Sequence, residues 1–152
     1  TRSLAERAQQ GASLKVDAFV SIHVNASGNV AAKGIETYTL PAVGCEGSHS
    51  NSPARGPLAG HAHLALSTRL AYYVQRSLLS ADGVTSKTPP TDRGVRHAHF
   101  KVLRDTPAPS ILIETGFITN AEDYARITNP QAQKVIARQI ADGITKAFCT
   151  TK

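Results

Sequence analysis

The sequence has 152 residues, of which 41% are hydrophobic, so the chain is long enough to bury the core of one domain. Its formal net charge of +6 favours an anionic partner, but the basic residues are scattered, with no aromatic ladder between them. This distribution argues against a nucleic-acid-binding protein. No stretch is long and apolar enough to span a membrane, and none of these residues forms a recognisable signal peptide.

The chain begins with a predicted helix followed by a strand. Ser3 and Glu6 match a capping box, in which each side chain bonds the other residue's backbone N–H, and predict a helix over residues 4–11. Residues 18–24 are apolar and rich in β-formers, and the turn residues after them predict that a strand ends there. The carboxyl end of this strand carries His23.

The middle of the chain is predicted to contain a strand, two loops and a helix. Residues 34–40 alternate and are β-branched, which predicts a second strand, and residues 41–60 form a long loop rich in Gly, Pro, Ser and Asn. A helix is predicted over residues 61–79, and residues 80–91 form a second polar loop. The apolar face of that helix is predicted from residues that recur every four positions: Leu66, Leu70, Val74 and Leu78.

The strand that ends at Glu114 organises the rest of the prediction. Residues 111–113 are a short apolar run that leads directly into this carboxylate, and Gly116 then allows a sharp turn. A short strand is also predicted upstream, over residues 100–103. A carboxylate leaving a buried strand is costly unless it has a partner there.

Two helices are predicted after this strand. Asn120 is predicted to cap a short helix, with Asp123 as its reciprocal partner, and Pro130 fits the first turn of the last helix. The apolar face of the last helix is predicted from Val135, Ile136, Ile140, Ile144 and Phe148. Strands alternating with helices predict an α/β fold, a single layered domain over residues 1–152 with a largely parallel or mixed sheet flanked by helices.

His23 and Glu114 each end an apolar strand and are each followed by turn-forming residues. We therefore expect the two strands to be neighbours and the two side chains to face one cleft at the carboxyl edge of the sheet. Neutral imidazole binds zinc, and a carboxylate beside a metal can take a proton from its water. The pair therefore suggests metal-dependent hydrolysis, although a lone histidine at a strand end is more often structural.

Several segments, in order and spacing, resemble the zinc-dependent N-acetylmuramoyl-L-alanine amidases of the cell-wall hydrolase type. The resemblance covers nearly the whole chain and is carried by Ser21-Ile-His-Val-Asn-Ala26, Asp92-Arg-Gly-Val-Arg96, Phe100-Lys-Val-Leu-Arg104 and Ile113-Glu-Thr-Gly-Phe-Ile-Thr-Asn120. It implies a peptidoglycan hydrolase that cuts the amide bond between muramic acid and the first L-alanine of the stem peptide. It also implies a periplasmic, extracellular or cell-wall location.

The resemblance assigns roles to four residues. His23 matches one of three zinc ligands, and Glu114 matches the catalytic glutamate that acts as general base. Asn25 is assigned either to orienting the His23 strand or to substrate binding, and Arg93 is assigned to substrate binding. The implied cofactor is Zn²⁺ and the implied partner is peptidoglycan.

The two other zinc ligands of the family lie upstream of the matched segments and have no counterpart in this sequence. The five remaining histidines do not match those positions and are interpreted as solvated or structural: His49, His61, His63, His97 and His99. We therefore expect an N-terminally incomplete amidase domain that is inactive as given. The alternative is a non-catalytic wall-binding or regulatory module that kept the fold. Whether Cys45 and Cys149 form a disulfide stays open, as does the oligomeric state.

Overall fold

The structure is a computed structural model that describes residues 3–48 and 56–149. The helices are α1 (Leu4–Ser13), α2 (Leu64–Leu78), α3 (Lys101–Arg104), α4 (Ala121–Thr128) and α5 (Pro130–Cys149). The strands are β1 (Phe19–Asn25), β2 (Ile35–Thr39), β3 (Asp92–His97) and β4 (Ser110–Phe117), and a 3₁₀ turn (Ala59–His63) precedes α2. The four strands form one sheet in the order β1-β4-β2-β3.

Strands β1 and β4 are parallel neighbours. The N–H of Phe19 donates to the carbonyl of Pro109 at the start of both strands, and the N–H of Ile118 donates to the carbonyl of Asn25 at their ends. The start of β2 lies near the end of β1 in space, because the Asn25 side chain donates to the Glu36 carboxylate at 2.8 Å. Strand β2 therefore runs in the opposite direction to β1 and β4. The sheet is therefore mixed, and the α/β fold predicted from the sequence is confirmed.

Strand β3 runs parallel to β2. The N–H of Ile35 donates to Thr91 O at one end, and the N–H of Ala98 donates to Thr39 O at the other. Strand β3 was not predicted from the sequence, because its residues are mostly polar and include Gly94, which has a positive φ of 82°. Half-buried charged residues give no apolar alternation, which is the signal on which strand prediction depends.

The strand predicted over residues 100–103 is wrong, because this segment forms the short helix α3. The carbonyl of Phe100 accepts from the N–H groups of both Leu103 and Arg104, which closes a helical turn. Val102 and Leu103 are adjacent and both buried, whereas in a strand they would point to opposite faces. A run of four residues is too short for its period to be read reliably.

The cap of α1 is confirmed and that of α4 is confirmed in part. In α1, Ser3 and Glu6 form both bonds of the capping box. In α4, the Asn120 side chain accepts from the N–H groups of its first turn, but the reciprocal bond predicted from Asp123 is wrong. The Asp123 carboxylate instead accepts from the N–H groups of Gly34 and Phe117, both at 2.8 Å.

The chain divides into two compact units. Unit 1 comprises Thr1–Ser21, Tyr38–Ala71 and Val95–Leu112, and unit 2 comprises Ile22–Thr37, Tyr72–Gly94 and Ile113–Lys152. In unit 1 the buried hydrophobic cluster consists of Tyr38, Leu40, Ala98, Val102, Leu103 and Leu112. The rings of Tyr38 and Phe100 meet edge to face there, with centroids 5.1 Å apart. Burial of these side chains supplies the main stabilisation of the unit.

The predicted apolar faces of the two long helices are partly wrong. In α2, Leu70, Val74 and Leu78 are buried as predicted, but Leu66 is 44% exposed. In α5, Phe148 is 39% exposed. The buried face of α5 consists of Ala132, Ile136, Ile140, Gly143 and Ala147. Small residues were not counted in the predicted stripe, although a close helix contact needs them.

We expect Gly143→Val to destabilise the protein by about 2–3 kcal/mol through overpacking. A Cβ at Gly143 would lie 2.6 Å from Val74 Cα and 3.0 Å from Tyr73 O, so it would meet backbone atoms that cannot rotate away. Urea unfolding of the two proteins measures the difference. The matched control is Ala141→Val, at an exposed position of α5, which should cost only about 0.5 kcal/mol. Equal losses at both positions would contradict the close contact.

The loop predicted over residues 41–60 is described only in part, because residues 49–55 lie outside the described residues. Within the rest, Ser48 N–H donates to His97 O at 2.6 Å, and a 3₁₀ turn begins at Ala59. Cys45 and Cys149 are both exposed free thiols. None of the helices in the described parts of the chain is long and apolar enough to cross a membrane.

Candidate active site

The side chain of Gln75, on α2, lies on one face of the sheet. It accepts from the Thr37 hydroxyl on β2 and donates to the Asp92 carboxylate on β3, each at 2.7 Å. Side chains alternate along a strand. Glu36 and Arg93, the neighbours of Thr37 and Asp92, therefore point to the opposite face.

The same alternation separates side chains on β1 and β4. Ile22, Val24 and Thr115 line an apolar groove of about 190 Å³ together with residues of α5. Their strand neighbours His23 and Glu114 point away from that groove. Strands β1 and β4 are adjacent, so His23 and Glu114 lie on neighbouring strands, as the sequence analysis expected.

A hydrogen bond shows that His23 and Glu114 lie on the same face of the sheet as Glu36 and Arg93. Asn25 has the same parity along β1 as His23, and its Nδ2 donates to Glu36 Oε1 at 2.8 Å. The face therefore carries a polar row with one side chain from each strand, in the order His23, Glu114, Glu36 and Arg93. We call these four residues the polar row, and all of them lie in unit 2.

Glu36 is the most buried member of the polar row, with only 1% of its surface exposed. Its Oε2 accepts from Arg93 Nε at 2.9 Å, and its Oε1 accepts from Asn25. A buried carboxylate is tolerated when it is paired and hydrogen-bonded, and Glu36 is both. The two residues assigned to substrate binding, Asn25 and Arg93, thus share this carboxylate.

Glu114 is the chemically unusual member of the row. Burial and, second, the Glu36 carboxylate raise the pKa of Glu114 from 4.5 to about 7. Its Oε2 is buried and has no hydrogen-bond partner among residues 3–48 and 56–149. A carboxylate with a pKa near 7 and an unpaired oxygen is suited to accept and return a proton.

Residues of α4 hold the strand that carries Glu114. The Asp123 carboxylate accepts from Phe117 N–H, and Arg126 Nη2 donates to the carbonyl of Thr115. Asp123 and Arg126 are both buried and lie 3.7 Å apart as an ion pair. These contacts fix the backbone on the C-terminal side of Glu114, so that the carboxylate has a defined position.

The structure corrects the predicted position of Glu114 within its strand and adds Glu36 to the candidate site. Glu114 does not end its strand, because Gly116 takes a positive φ of 155° and β4 continues to Phe117. Glu36 was missed in the sequence analysis. Its signal was present, since a glutamate lies in the middle of the alternating run over residues 34–40, where an unpaired charge would be costly.

Three other histidines have local hydrogen bonds in unit 1. His61 Nδ1 accepts from Leu58 N–H at 2.8 Å, and His97 Nδ1 lies 2.9 Å from the Thr39 hydroxyl. His99 Nε2 lies 3.2 Å from a backbone carbonyl. These bonds suit structural roles. His49 lies outside the described residues.

The described residues do not by themselves fit a catalytic zinc site. Such a site normally has three protein ligands and one open position. No group of three His, Cys, Asp or Glu side chains in residues 3–48 and 56–149 could hold a metal ion. The arrangement that suits metal-dependent hydrolysis is His23 on the strand next to that of Glu114, whose Oε2 has no hydrogen-bond partner among these residues.

We expect the metal-free chain to become less stable as pH rises from about 5 to 8. Folding raises the Glu114 pKa from 4.5 to about 7, so within this window the folded state keeps a proton that the unfolded state releases. The contribution is fully present below the unfolded pKa and is lost as pH rises through the folded pKa. Because Glu114 is only half-buried, we discount the shift and expect a loss of about 1–2 kcal/mol.

Urea unfolding in a chelating buffer measures this loss. Glu114→Gln should remove it, because the amide does not titrate. Glu122→Gln is the matched control, since the Glu122 side chain is 75% exposed and lies outside the polar row. If Glu114→Gln keeps the wild-type pH dependence, the raised pKa of Glu114 is contradicted.

Comparison with known proteins shows which family the sequence matches. The family Amidase_3, described as N-acetylmuramoyl-L-alanine amidase, matches residues 1–146. The chain is 33% identical to the N-acetylmuramoyl-L-alanine amidase LytC of Bacillus subtilis, over 96% of this chain and 24% of LytC. It is 30% identical to the N-acetylmuramoyl-L-alanine amidase CwlM of Bacillus licheniformis, over 100% of this chain and 49% of CwlM. The chain thus spans about a quarter of the length of LytC and about half of the length of CwlM.

A solved structure shares the fold. The catalytic domain of CwlV, an N-acetylmuramoyl-L-alanine amidase from Bacillus (Paenibacillus) polymyxa var. colistinus, superimposes with a TM-score of 0.74 at 30% identity. The match covers 99% of this chain and 68% of that domain.

Proposed function

Because this chain belongs to the Amidase_3 family of N-acetylmuramoyl-L-alanine amidases, we propose that it is the catalytic part of a peptidoglycan hydrolase. The bond cleaved is the amide between muramic acid and the first L-alanine of the stem peptide. The observation that carries the proposal is the half-buried carboxylate of Glu114, on the strand next to that of His23. Its buried Oε2 has no hydrogen-bond partner in the described part of the chain. A binding module that had kept only the fold would have no use for such a carboxylate.

Glu114 is the general base in this proposal. Its unpaired Oε2 accepts a proton from the attacking water, and the same carboxyl then donates that proton to the leaving nitrogen of L-alanine. The raised pKa supports both steps, since a group with a pKa near the working pH can take up and release a proton. Glu36 contributes by keeping a second negative charge close to Glu114.

Zinc is the cofactor in this proposal, and His23 is one of its ligands. A bound zinc ion would supply Lewis-acid activation of the water and of the scissile carbonyl. The described residues contain no three-ligand group, so His23 is the one ligand that we assign among them. We place the protein at the cell wall, outside the cytoplasmic membrane, because its proposed substrate lies there.

Product analysis tests this function. Purified peptidoglycan is incubated with the zinc-loaded full-length protein, and the released material is analysed by mass spectrometry. The proposal predicts stem peptides with a free L-alanine amino group and glycan strands with an intact lactyl carboxylate. Release of disaccharides, or of peptides cut between two amino acids, would identify a different hydrolase.

A further inference from the structure

The guanidinium group of Arg93 is held in place from two sides. Its Nε donates to Glu36 Oε2 at 2.9 Å, and its Cζ lies 4.9 Å from the centre of the Phe117 ring. Glu36 is itself fixed by Asn25 and has a side chain that is only 2% exposed. The position and the plane of the Arg93 head group are therefore set before any ligand arrives.

The two terminal amino groups of Arg93 have hydrogen-bond donors to spare. Within residues 3–48 and 56–149, neither Nη atom donates to an acceptor, whereas Nε is occupied by Glu36. The side chain is 31% exposed, so a ligand can reach it. A guanidinium presents its N–H groups in a planar fork that matches a carboxylate, and a fork fixed in advance loses little entropy on binding.

The order of the strands gives the distance of Arg93 from the catalytic carboxylate. Arg93 lies on β3, two strands away from Glu114 on β4. Neighbouring strands are about 4.8 Å apart, so the two backbones are separated by about 10 Å. Two residues of an extended peptide span about 7 Å, so a group two residues beyond the scissile amide comes within reach of Arg93.

We propose that Arg93 binds a carboxylate of the substrate peptide, about two residues beyond the scissile amide, and so selects peptides that are not amidated there. This inference rests on the proposed function, since it names a recognition element of the same site. Asn25 is not part of this recognition. Its Nδ2 is engaged by Glu36, and its Oδ1 accepts from Ala26 N–H at 2.8 Å, so it serves to hold the carboxylate that holds Arg93.

A binding experiment on the metal-free full-length protein tests the inference without any turnover. NMR titration compares alanyl-alanine with alanyl-alaninamide, which differ only in one carboxylate. We expect the carboxylate peptide to bind about 10-fold more tightly, because a charge-assisted bidentate pair is lost in the amide. Arg93→Lys keeps a cation beside Glu36 but lacks the fork, and should reduce the ratio to about 3-fold or less.

Two further variants test whether the preference for the carboxylate peptide depends on Arg93 itself, and not on the net charge of the protein or on its folding. Lys33→Ala removes a cation of the same unit that pairs with Glu122 at 2.7 Å, outside the polar row, and should leave the ratio unchanged. Arg93→Ala combined with Glu36→Gln removes both partners of the buried pair, so that no buried charge is left alone. This double variant should bind both peptides with equal affinity.

Kinetics on matched muropeptides, with the second stem residue as the free acid or the amide, complete the test. The zinc-loaded wild type should favour the acid through KM. Arg93→Lys should reduce that preference to about 3-fold or less, whereas Lys33→Ala should keep it. Equal affinity of the wild type for both peptides, no binding of the acid, or an equal loss in Lys33→Ala would overturn the role of Arg93. Failure to cut either muropeptide at the lactyl–alanine amide would contradict the proposed function, and the binding ratio would still decide the role of Arg93.

Discussion

In the zinc-loaded full-length protein, Glu114→Gln should lower turnover of muropeptide by at least about 10²–10⁴-fold, which is the usual contribution of a general base. The amide has the shape of the carboxylate but cannot accept the proton of the attacking water. The fold should be preserved, because the substitution removes a charge that is destabilised by burial and by Glu36. The loss should therefore appear in kcat and not in the free energy of unfolding.

Three measurements make this prediction specific: kcat, zinc content and urea unfolding of the same protein. Zinc content should match that of the wild type, because Glu114 is assigned as the base and not as a ligand. Glu122→Gln, an exposed carboxylate variant, should keep full turnover. If Glu114→Gln hydrolyses muropeptide at a near wild-type rate, the assigned base is wrong, and if it loses zinc, Glu114 is a ligand instead.

His23→Ala should have the larger effect of the two. Loss of a zinc ligand removes both the activation of water and the polarisation of the carbonyl, so the loss in turnover should exceed the roughly 10²–10⁴-fold expected for Glu114→Gln. Zinc occupancy at one equivalent of added metal should fall to about a tenth or less. Residues that only orient the metal ligands cannot take the place of the missing imidazole.

The control for this variant is His63→Ala, which removes a histidine of the 3₁₀ turn that precedes α2. It should bind zinc and turn over substrate as the wild type does. Wild-type zinc occupancy in His23→Ala would show that His23 is not a ligand. The two site variants together separate metal loss from loss of the base, because zinc content falls only in His23→Ala.

The sequence predicted that His23 and Glu114 lie on neighbouring strands because both follow apolar runs, and such runs are visible without any knowledge of their partners. It could not reveal the pairing of Glu36 with Arg93, since those residues are 57 positions apart. Strand β3 was missed for the same reason. Its polar residues are held by contacts with β2 and α2, such as the hydrogen bond between Asp92 and Gln75, which no local pattern in the sequence reveals.

The position of Glu114 within its strand shows a second limit. Gly116 is typical of a turn, but here its positive φ lets the strand continue while Asp123 and Arg126 pack closely against it. A Cβ at Gly116 would lie 3.0 Å from Arg126 Nη2 and from Asp123 Cγ. The choice between a turn and a close approach depends on α4, which a local reading of residues 111–116 does not include.

The most direct test of the account is a crystal structure of the zinc-loaded full-length protein, with the metal located by its anomalous scattering. We expect zinc at about 2.0–2.1 Å from a ring nitrogen of His23, on the face of the sheet that carries the polar row. The Glu114 carboxylate should lie within hydrogen-bond reach of a water on the metal and should not itself bind the metal. Zinc bound at His61, His63, His97 or His99 and not at His23 would contradict the account.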